Sequence, residues 1–282
     1  MNAYVQLVRA PAALTVLGDT VAGGAAAGRR LRGRRLLLPL SSAAFYWSDM
    51  ALNDWADRDL DAVERPERPI PSGRVSPNRA LAIAGGLTAA GLGLAAAGGG
   101  RDAVKIAVPL AVAVWAYDTV LKSTPAGPAG MAACRALDVL MGAGGARAAL
   151  PAAAAVGGHT LGVTALSRGE VHGATPAAAQ AALAGTALTA ATAIGGRARS
   201  ARHRLGALAA AALYSSTVGR AQLAARNDPS AASVRRATMA GIHGMVPLQA
   251  AIAARRGSLL GALAVTAALP LARALSKKVS PT

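Results

Sequence analysis

The chain has 282 residues, of which 53% are hydrophobic and only 15% are charged, with a mean hydropathy of +0.38 and a formal net charge of +17. This composition excludes an ordinary soluble protein and is typical of a polytopic membrane protein. The net charge does not indicate nucleic acid, because the arginines lie in short gaps between apolar runs and few aromatic residues are present for base stacking. Loop arginines instead favour membrane lipid as a partner.

Apolar runs long enough to cross a bilayer recur along the chain, without the alternation of period two that a barrel requires. They predict an all-α polytopic membrane protein with nine or ten transmembrane helices in a single domain, residues 1–282. The predicted spans are Tyr4–Ala27, Leu36–Ala56, Arg79–Gly98, Ala103–Leu121, Pro128–Ala146, Pro151–Leu166, Pro176–Ile194, Leu205–Leu223, Ser233–Ala254 and Leu259–Leu275.

An acidic segment, residues 53–76, follows the second apolar run and holds six of the 13 acidic residues of the chain. If the helix continues into this segment, Asp54, Asp57 and Asp61 share an arc of about 60°, with Asn53 at its border and Asp59 pointing away. Hard carboxylate oxygens on one face favour Mg²⁺ or Ca²⁺. A solvated loop, in which the interspersed arginines neutralise the acids, remains the alternative.

Further ionisable residues lie in or at the ends of the apolar runs, where each is costly without a partner and is therefore a functional candidate. The spacing of Arg135 and Asp138, and of Asp118 and Lys122, also permits structural ion pairs within a helix. If successive helices alternate in direction, the ends of the second, fourth and sixth helices share one membrane face, which predicts a single charged mouth. The candidates are Arg9, Asp19, Asp49, Asp118, Lys122, Arg135, Asp138, Arg168, Glu170 and His172.

Two adjacent motifs resemble the UbiA-type intramembrane prenyltransferase family. The first is NDxxDxxxD at 53–61, and the second is RPxRPIPSGR at 65–74. Tyr117 and Lys122 are similar to the family's Tyr/Lys element after the fourth helix, and Arg9 with Pro11 is similar to the basic residue that opens the first. The resemblance covers essentially the whole chain and implies a bundle of about nine helices around a central cavity.

The resemblance also implies a reaction, in which an isoprenoid group passes from an allylic diphosphate to a lipophilic or aromatic acceptor within the membrane. Mg²⁺ on Asp54, Asp57 and Asp61 would neutralise the leaving diphosphate, and Lys122 would join them as a catalytic residue. The plasma membrane is the expected location, with the acidic loop cytoplasmic because diphosphate donors are found there. The substrate-binding candidates are Arg9, Asn53, Arg68, Tyr117, Arg135, Asp138, Arg168 and Glu170.

One segment departs from the family pattern. Where the family has a second aspartate-rich motif, residues 164–172 contain one carboxylate, Glu170, and no aspartate, which resembles the EboC-type branch. Arg168 is then expected to supply the positive charge that a second metal ion would bring. Two alternatives stay open: a catalytically degenerate member that binds or translocates a lipophilic metabolite, and a structural membrane subunit with an ion-paired acidic loop.

Overall fold

The computed structural model describes residues 2–29, 31–267 and 270, and the regular secondary structure of these residues is entirely helical. The prediction of an all-α membrane fold is confirmed. The helices are α1 Ala3–Leu7, α2 Leu17–Ala26, α3 Leu37–Ala56, α4 Arg58–Glu64, α5 Pro77–Ala116, α6 Gly127–Ala143, α7 Leu150–Ser167, α8 Pro176–Ile194, α9 Ala201–Asn227 and α10 Ala231–Arg255. A further helical stretch covers 259–267, so the predicted span Leu259–Leu275 lies partly outside the described residues.

Four helical stretches of the described chain are long and apolar enough to cross a membrane. They begin at Pro77, Arg147, Pro176 and Ala231. Helices α3 and α9 carry ionisable residues in their first or last turns, as α3 does where it enters the acidic segment. Mean hydropathy therefore misses helices whose ends carry charged residues.

The first predicted span, Tyr4–Ala27, is not one continuous helix. Helix α1 ends at Leu7, a 3₁₀ turn follows over Ala10–Thr15, and α2 begins only at Leu17. Pro11 explains the break, because proline removes one backbone donor and disfavours helical geometry in the residue before it. Arg9 at this break has left-handed backbone angles, φ 44° and ψ 48°, an uncommon conformation for a residue with a side chain.

Helix α5 contains two of the predicted spans, Arg79–Gly98 and Ala103–Leu121. They are separated at Gly100, whose φ of 66° and ψ of −157° are accessible to glycine but rarely to other residues. The second half runs into a π-helical turn, Tyr117–Leu121, in which the Lys122 amide donates to the Tyr117 carbonyl at 2.9 Å. Such turns insert one extra residue and re-aim the side chains that follow.

Helices α3, α5, α6, α7 and α10, together with Thr15 and Val16 just before α2, surround a central cavity of about 290 Å³. Its walls are largely apolar, and Phe45, Leu110, Val114, Met131 and Met245 contribute to them. The helices approach closely because small residues lie at their crossings. The packing therefore leaves an apolar space in the region where the family resemblance predicts a central cavity.

Candidate functional site

Two buried aspartates and two arginines form the centre of the acidic segment. Asp54 lies in the last turn of α3, and its Oδ1 is 2.9 Å from Arg9 Nη2 and 3.4 Å from Arg68 Nη1. Asp61, in α4, is fully buried, and its carboxylate is 2.6 Å from Arg68 Nη1 and 3.4 Å from Arg65 Nη1. The unusual backbone of Arg9 is thus explained by its position, because it directs this guanidinium onto Asp54.

Asp57 contacts a different cation. It occupies the junction between α3 and α4, and its Oδ1 lies 2.7 Å from Lys122 Nζ. The π-helical turn directly precedes Lys122 and orients the lysine toward Asp57. Although the ammonium group is buried, it has no well-aligned hydrogen bond among the described residues. Its donors are therefore available to a ligand.

Asp59 points away from the other aspartates, as expected, although the predicted helix does not continue through Asp57, where α3 gives way to α4. The Asp59 side chain is 89% exposed and faces Arg58 at 3.6 Å, away from the other aspartates. The Asn53 amide donates to Asp118 Oδ1 at 3.2 Å and joins α3 to the π-helical turn. We refer to Asp54, Asp57 and Asp61, together with Arg9, Arg68 and Lys122, as the acidic mouth.

The carboxylates of the acidic mouth fit a magnesium ion. Asp54 and Asp61 converge on one point, because a single atom, Arg68 Nη1, lies within 3.4 Å of both. Mg²⁺ is usually bound by one or two carboxylates together with substrate phosphates. Asp57 is turned toward Lys122, and the described part of the chain holds no group of three or more His, Cys, Asp or Glu side chains placed to bind a metal ion. Metal binding by Asp54, Asp57 and Asp61 together stays a prediction, and the convergence of Asp54 and Asp61 makes these two the first candidates.

The acidic mouth adjoins the central cavity through α3. Arg9 Nη1 lies 2.8 Å from Met50 Sδ, and Met50 and Asp49 both line the cavity. Asp49 is five residues before Asp54, which places it about 7.5 Å below Asp54 along the helix axis. A molecule held at the mouth can thus extend directly into the apolar space.

Arg135 and Asp138 line the same cavity, but they do not pair with each other as their spacing permits. Arg135 Nε lies 3.1 Å from Asp19 Oδ2, and Gln249 also donates to Asp19, at 2.7 Å. Asp138 instead accepts a short hydrogen bond from Ser42. Asp19 and Asp138 are both buried, so each needs a polar or charged partner.

Residues 164–172, the segment that departs from the family pattern, reach the side of the bundle that holds the acidic mouth. They do so through a backbone contact. Arg168, at the end of α7, donates a short hydrogen bond to the Thr124 carbonyl, in the turn that follows Lys122. Glu170 lies beyond it with its carboxylate in no ion pair among the described residues, while its backbone carbonyl accepts from Arg235 at 2.6 Å. Arg168 therefore contacts the chain at Thr124, two residues after Lys122. Glu170 does not approach the aspartates.

Residues outside the acidic mouth also shape the cavity and its wall. Tyr117 opens the π-helical turn and packs beside the cavity wall, but it is not part of the cavity lining. His159 lines the cavity, and its two ring nitrogens contact the Tyr214 hydroxyl at 2.8 Å and the Gly241 carbonyl at 2.9 Å. Gln249 had no signal in the sequence beyond being polar within an apolar run.

The chain is similar to known proteins along most of its length. The model of the UbiA prenyltransferase family matches residues 16–278. Among curated proteins, digeranylgeranylglyceryl phosphate synthase of Methanopyrus kandleri is 41% identical over 126 residues, which is 44% of this chain and 46% of that protein. The chain thus matches less than half the length of this relative.

Solved structures show the same fold. A digeranylgeranylglyceryl phosphate synthase structure superposes with a TM-score of 0.65 at 16% identity, covering 90% of this chain and 97% of the other. A UbiA homologue from Archaeoglobus fulgidus bound to DMAPP and Mg²⁺ superposes with a TM-score of 0.59 at 17% identity, covering 87% and 98%. With the family model matching nearly the whole chain, the protein belongs to the UbiA prenyltransferase family.

Proposed function

We propose that the protein transfers a prenyl group from an allylic diphosphate to a lipophilic or aromatic acceptor in the membrane, with Mg²⁺ as cofactor. The observation that carries this proposal is the meeting of three cations and three carboxylates at the entrance of an apolar cavity. An ion-paired structural loop would not need to adjoin a cavity of that size. The solved relative with DMAPP and Mg²⁺ supports the same assignment of donor and metal.

The donor diphosphate would bind at the acidic mouth. Arg9, Arg68 and Lys122 each contact an aspartate, and a phosphate oxygen bound there would share these donors. Mg²⁺ bound by Asp54 and Asp61 would supply Lewis-acid neutralisation of the leaving diphosphate. The arginines and the lysine fix the orientation of the diphosphate, so that the prenyl chain is directed past Met50 into the cavity.

The apolar cavity would then protect the reacting carbon. The bond between the allylic carbon and the diphosphate oxygen breaks, and the diphosphate leaves with the electron pair. The acceptor attacks the allylic carbon and loses a proton, so the products are the prenylated acceptor, diphosphate and H⁺. Walls built from Phe45, Val114 and Met131 exclude the water that would otherwise capture the cation.

The acceptor class is a finer part of the proposal. Relatives named digeranylgeranylglyceryl phosphate synthases make glyceryl phosphate ether the first acceptor type to test. Placement in the EboC-type branch rests on residues 164–172 alone, and the synthase relatives do not support it specifically. The membrane is the proposed site of the reaction, in a multi-pass protein whose acidic mouth faces the cytoplasm.

A second candidate function follows from residues 164–172, where the family's second aspartate-rich motif is missing. Glu170 lies outside the acidic mouth, and Arg168 contacts a carbonyl rather than the aspartates. A protein that retained the donor site but lacked a second cluster of carboxylates would bind a prenyl diphosphate or a related lipid without cleaving it. This is the degenerate binding or transport function.

Release of diphosphate separates these functions. Purified protein would be incubated with DMAPP or geranyl diphosphate and a glyceryl phosphate ether acceptor, with Mg²⁺ or with a chelator, and both diphosphate release and donor binding would be measured. We expect Mg²⁺-dependent release that Asp54→Asn abolishes and that Asp59→Asn, in the exposed aspartate, leaves unchanged. Binding without release would favour the degenerate function, and neither binding nor release would refute both.

A further inference from the structure

A cluster of arginines lies on the membrane face opposite the acidic mouth. Helix α3, Leu37–Ala56, connects the arginine cluster to the acidic mouth, and its 20 residues span about 30 Å. Immediately before α3, a pocket of about 570 Å³ is lined by one glycine and four arginines. We call it the arginine pocket; its residues are Gly28, Arg29, Arg32, Arg34 and Arg35.

Two of these arginines have structural partners. Arg35 donates to the Gly142 carbonyl at 2.7 Å, and a Cβ added to Gly144 would meet Arg29 Nη1 at 2.3 Å. Both therefore lie at the carboxyl end of α6, where the helix dipole favours cations. Arg29 also approaches Asp102 at 3.7 Å. These contacts hold the loop in place and account for half of the arginines.

The other two arginines have no such role. Arg32 and Arg34 are exposed, and neither side chain has an ion pair or a hydrogen bond among the described residues. Burial, followed by the charges of Arg29 and Arg34, lowers the pKa of Arg35. Arg35 Nε is buried without a hydrogen-bond partner. The pocket thus concentrates positive charge that the protein itself does not balance.

The surroundings of the pocket indicate an amphiphilic anion. Leu36 and Leu40, directly after the arginines, are 54% and 52% exposed and continue from the pocket along the outer surface of α3. Guanidinium groups beside exposed leucines match a phosphate group joined to acyl chains. We propose that the arginine pocket binds the phosphate of an anionic membrane lipid, with its acyl chains along Leu36 and Leu40.

Lipid retention by the whole protein tests this site. The protein would be purified in detergent, exchanged into mixed micelles that contain phosphatidylglycerol and phosphatidylcholine, and examined by native mass spectrometry. The test variant is Arg32→Gln/Arg34→Gln. The control is Arg197→Gln/Arg202→Gln, which removes the same charge from two exposed arginines outside the pocket, between α8 and the first turn of α9.

We expect one phosphatidylglycerol to be retained by the native protein and by the control variant, and at least a tenfold lower retained fraction in the test variant. Equal loss in both variants, or loss in neither, would overturn the site. Inorganic phosphate at matched concentration forms a further arm; displacement of the lipid by it at equal concentration would overturn the lipid as ligand in favour of a soluble anion. If the double variant is not monodisperse, Arg34→Gln alone decides, with Arg197→Gln as its control.

Discussion

At the scale of single residues, Asp61 shows how far the acidic mouth depends on its cations. Its side chain is fully buried, and its neighbours are Arg68 at 2.6 Å and the more exposed Arg65 at 3.4 Å. A buried carboxylate without a partner is far more costly than a buried pair. The same two oxygens would therefore accept either a guanidinium or a metal ion.

Removal of Arg68 should show whether a metal ion can replace its guanidinium beside Asp54 and Asp61. We expect Arg68→Gln to lower the free energy of unfolding by about 3 kcal/mol in chelator, because two buried carboxylates lose their shared cation. Mg²⁺ should restore part of the loss by taking the vacated position, as thermal unfolding in detergent would show. The control is Arg79→Gln, which changes an exposed arginine of α5. If the stability of Arg68→Gln does not respond to Mg²⁺, metal binding by Asp54 and Asp61 is contradicted.

Arg168 and Glu170 should behave differently. Arg168 supports the turn after Lys122 through the Thr124 carbonyl, so Arg168→Ala should weaken donor binding roughly fivefold, or about 1 kcal/mol. Glu170→Ala should leave donor affinity unchanged, since its carboxylate pairs with no cation of the described chain. Titration with a non-cleaved donor analogue measures both, and an equal loss in Glu170→Ala would return that residue to the metal site.

The sequence predicted local relations between residues better than distant ones. The outward position of Asp59 follows from helical spacing alone. The pairing of Arg135 with Asp19 does not, because 116 residues separate them and Asp138 was the nearer carboxylate along the chain. Only the crossing of α2 and α6 brings Asp19 to Arg135, and that crossing is a property of the fold.

At the scale of helices, glycines decide which elements can touch. A Cβ added to Gly142 in α6 would lie 2.4 Å from Thr20 Cα, and one added to Gly23 in α2 would lie 1.8 Å from the Val139 carbonyl oxygen. Gly144 and Gly145, which follow Gly142 closely in sequence, instead have positive φ angles and lie just after the end of α6. Backbone contact at Gly142 and Gly23 thus fixes the α2–α6 crossing.

Gly142→Ala should therefore destabilise the protein by about 1–3 kcal/mol, because the new methyl group has no space beside the backbone of α2. Gly86→Ala, in α5, is a matched control, since a Cβ there meets nothing within 4 Å and alanine favours the helix by up to about 1 kcal/mol. Thermal midpoints in detergent compare the two. A neutral Gly142→Ala would show that α2 and α6 are farther apart than this packing requires.

Helix boundaries were predictable where proline or glycine marks them. Pro176 begins α8 and Ile194 ends it, as the apolar run predicts. The break near Pro11 was missed because apolar residues continue on both sides, and the π-helical turn has no signal in residues 117–121. Both misses fall at the acidic mouth, where local geometry departs from a regular helix to position Arg9 and Lys122.

At the scale of the whole molecule, the two faces of the bundle differ in how far their positive charge is balanced by carboxylates. The acidic mouth pairs its arginines with aspartates, whereas the opposite face holds the arginine pocket and further arginines of the turns before α7 and α9. By the positive-inside rule, the arginine-rich face would be cytoplasmic. A diphosphate donor from the cytoplasm instead favours a cytoplasmic acidic mouth. A measurement of the orientation therefore decides between the arginine count and the location of the donor.

Accessibility of single cysteines measures this orientation. Cys134, the one natural cysteine, lines the cavity and would be replaced by Ala. Ser72→Cys then reports on the exposed loop beside the acidic mouth, and Arg197→Cys reports on the exposed turn between α8 and α9 at the other face. We expect a membrane-impermeant maleimide to label Arg197→Cys in intact cells and Ser72→Cys only after permeabilisation.

The opposite labelling pattern would place the acidic mouth outside the cell. The donor would then have to cross the membrane before reaction, and the arginine pocket would face the cytoplasmic leaflet, as the arginine count alone predicts. Labelling of both positions in intact cells would contradict the fold itself, because α3 and α8 must each carry the chain from one face to the other. Inaccessibility of both positions even after permeabilisation would contradict the exposure of the two loops.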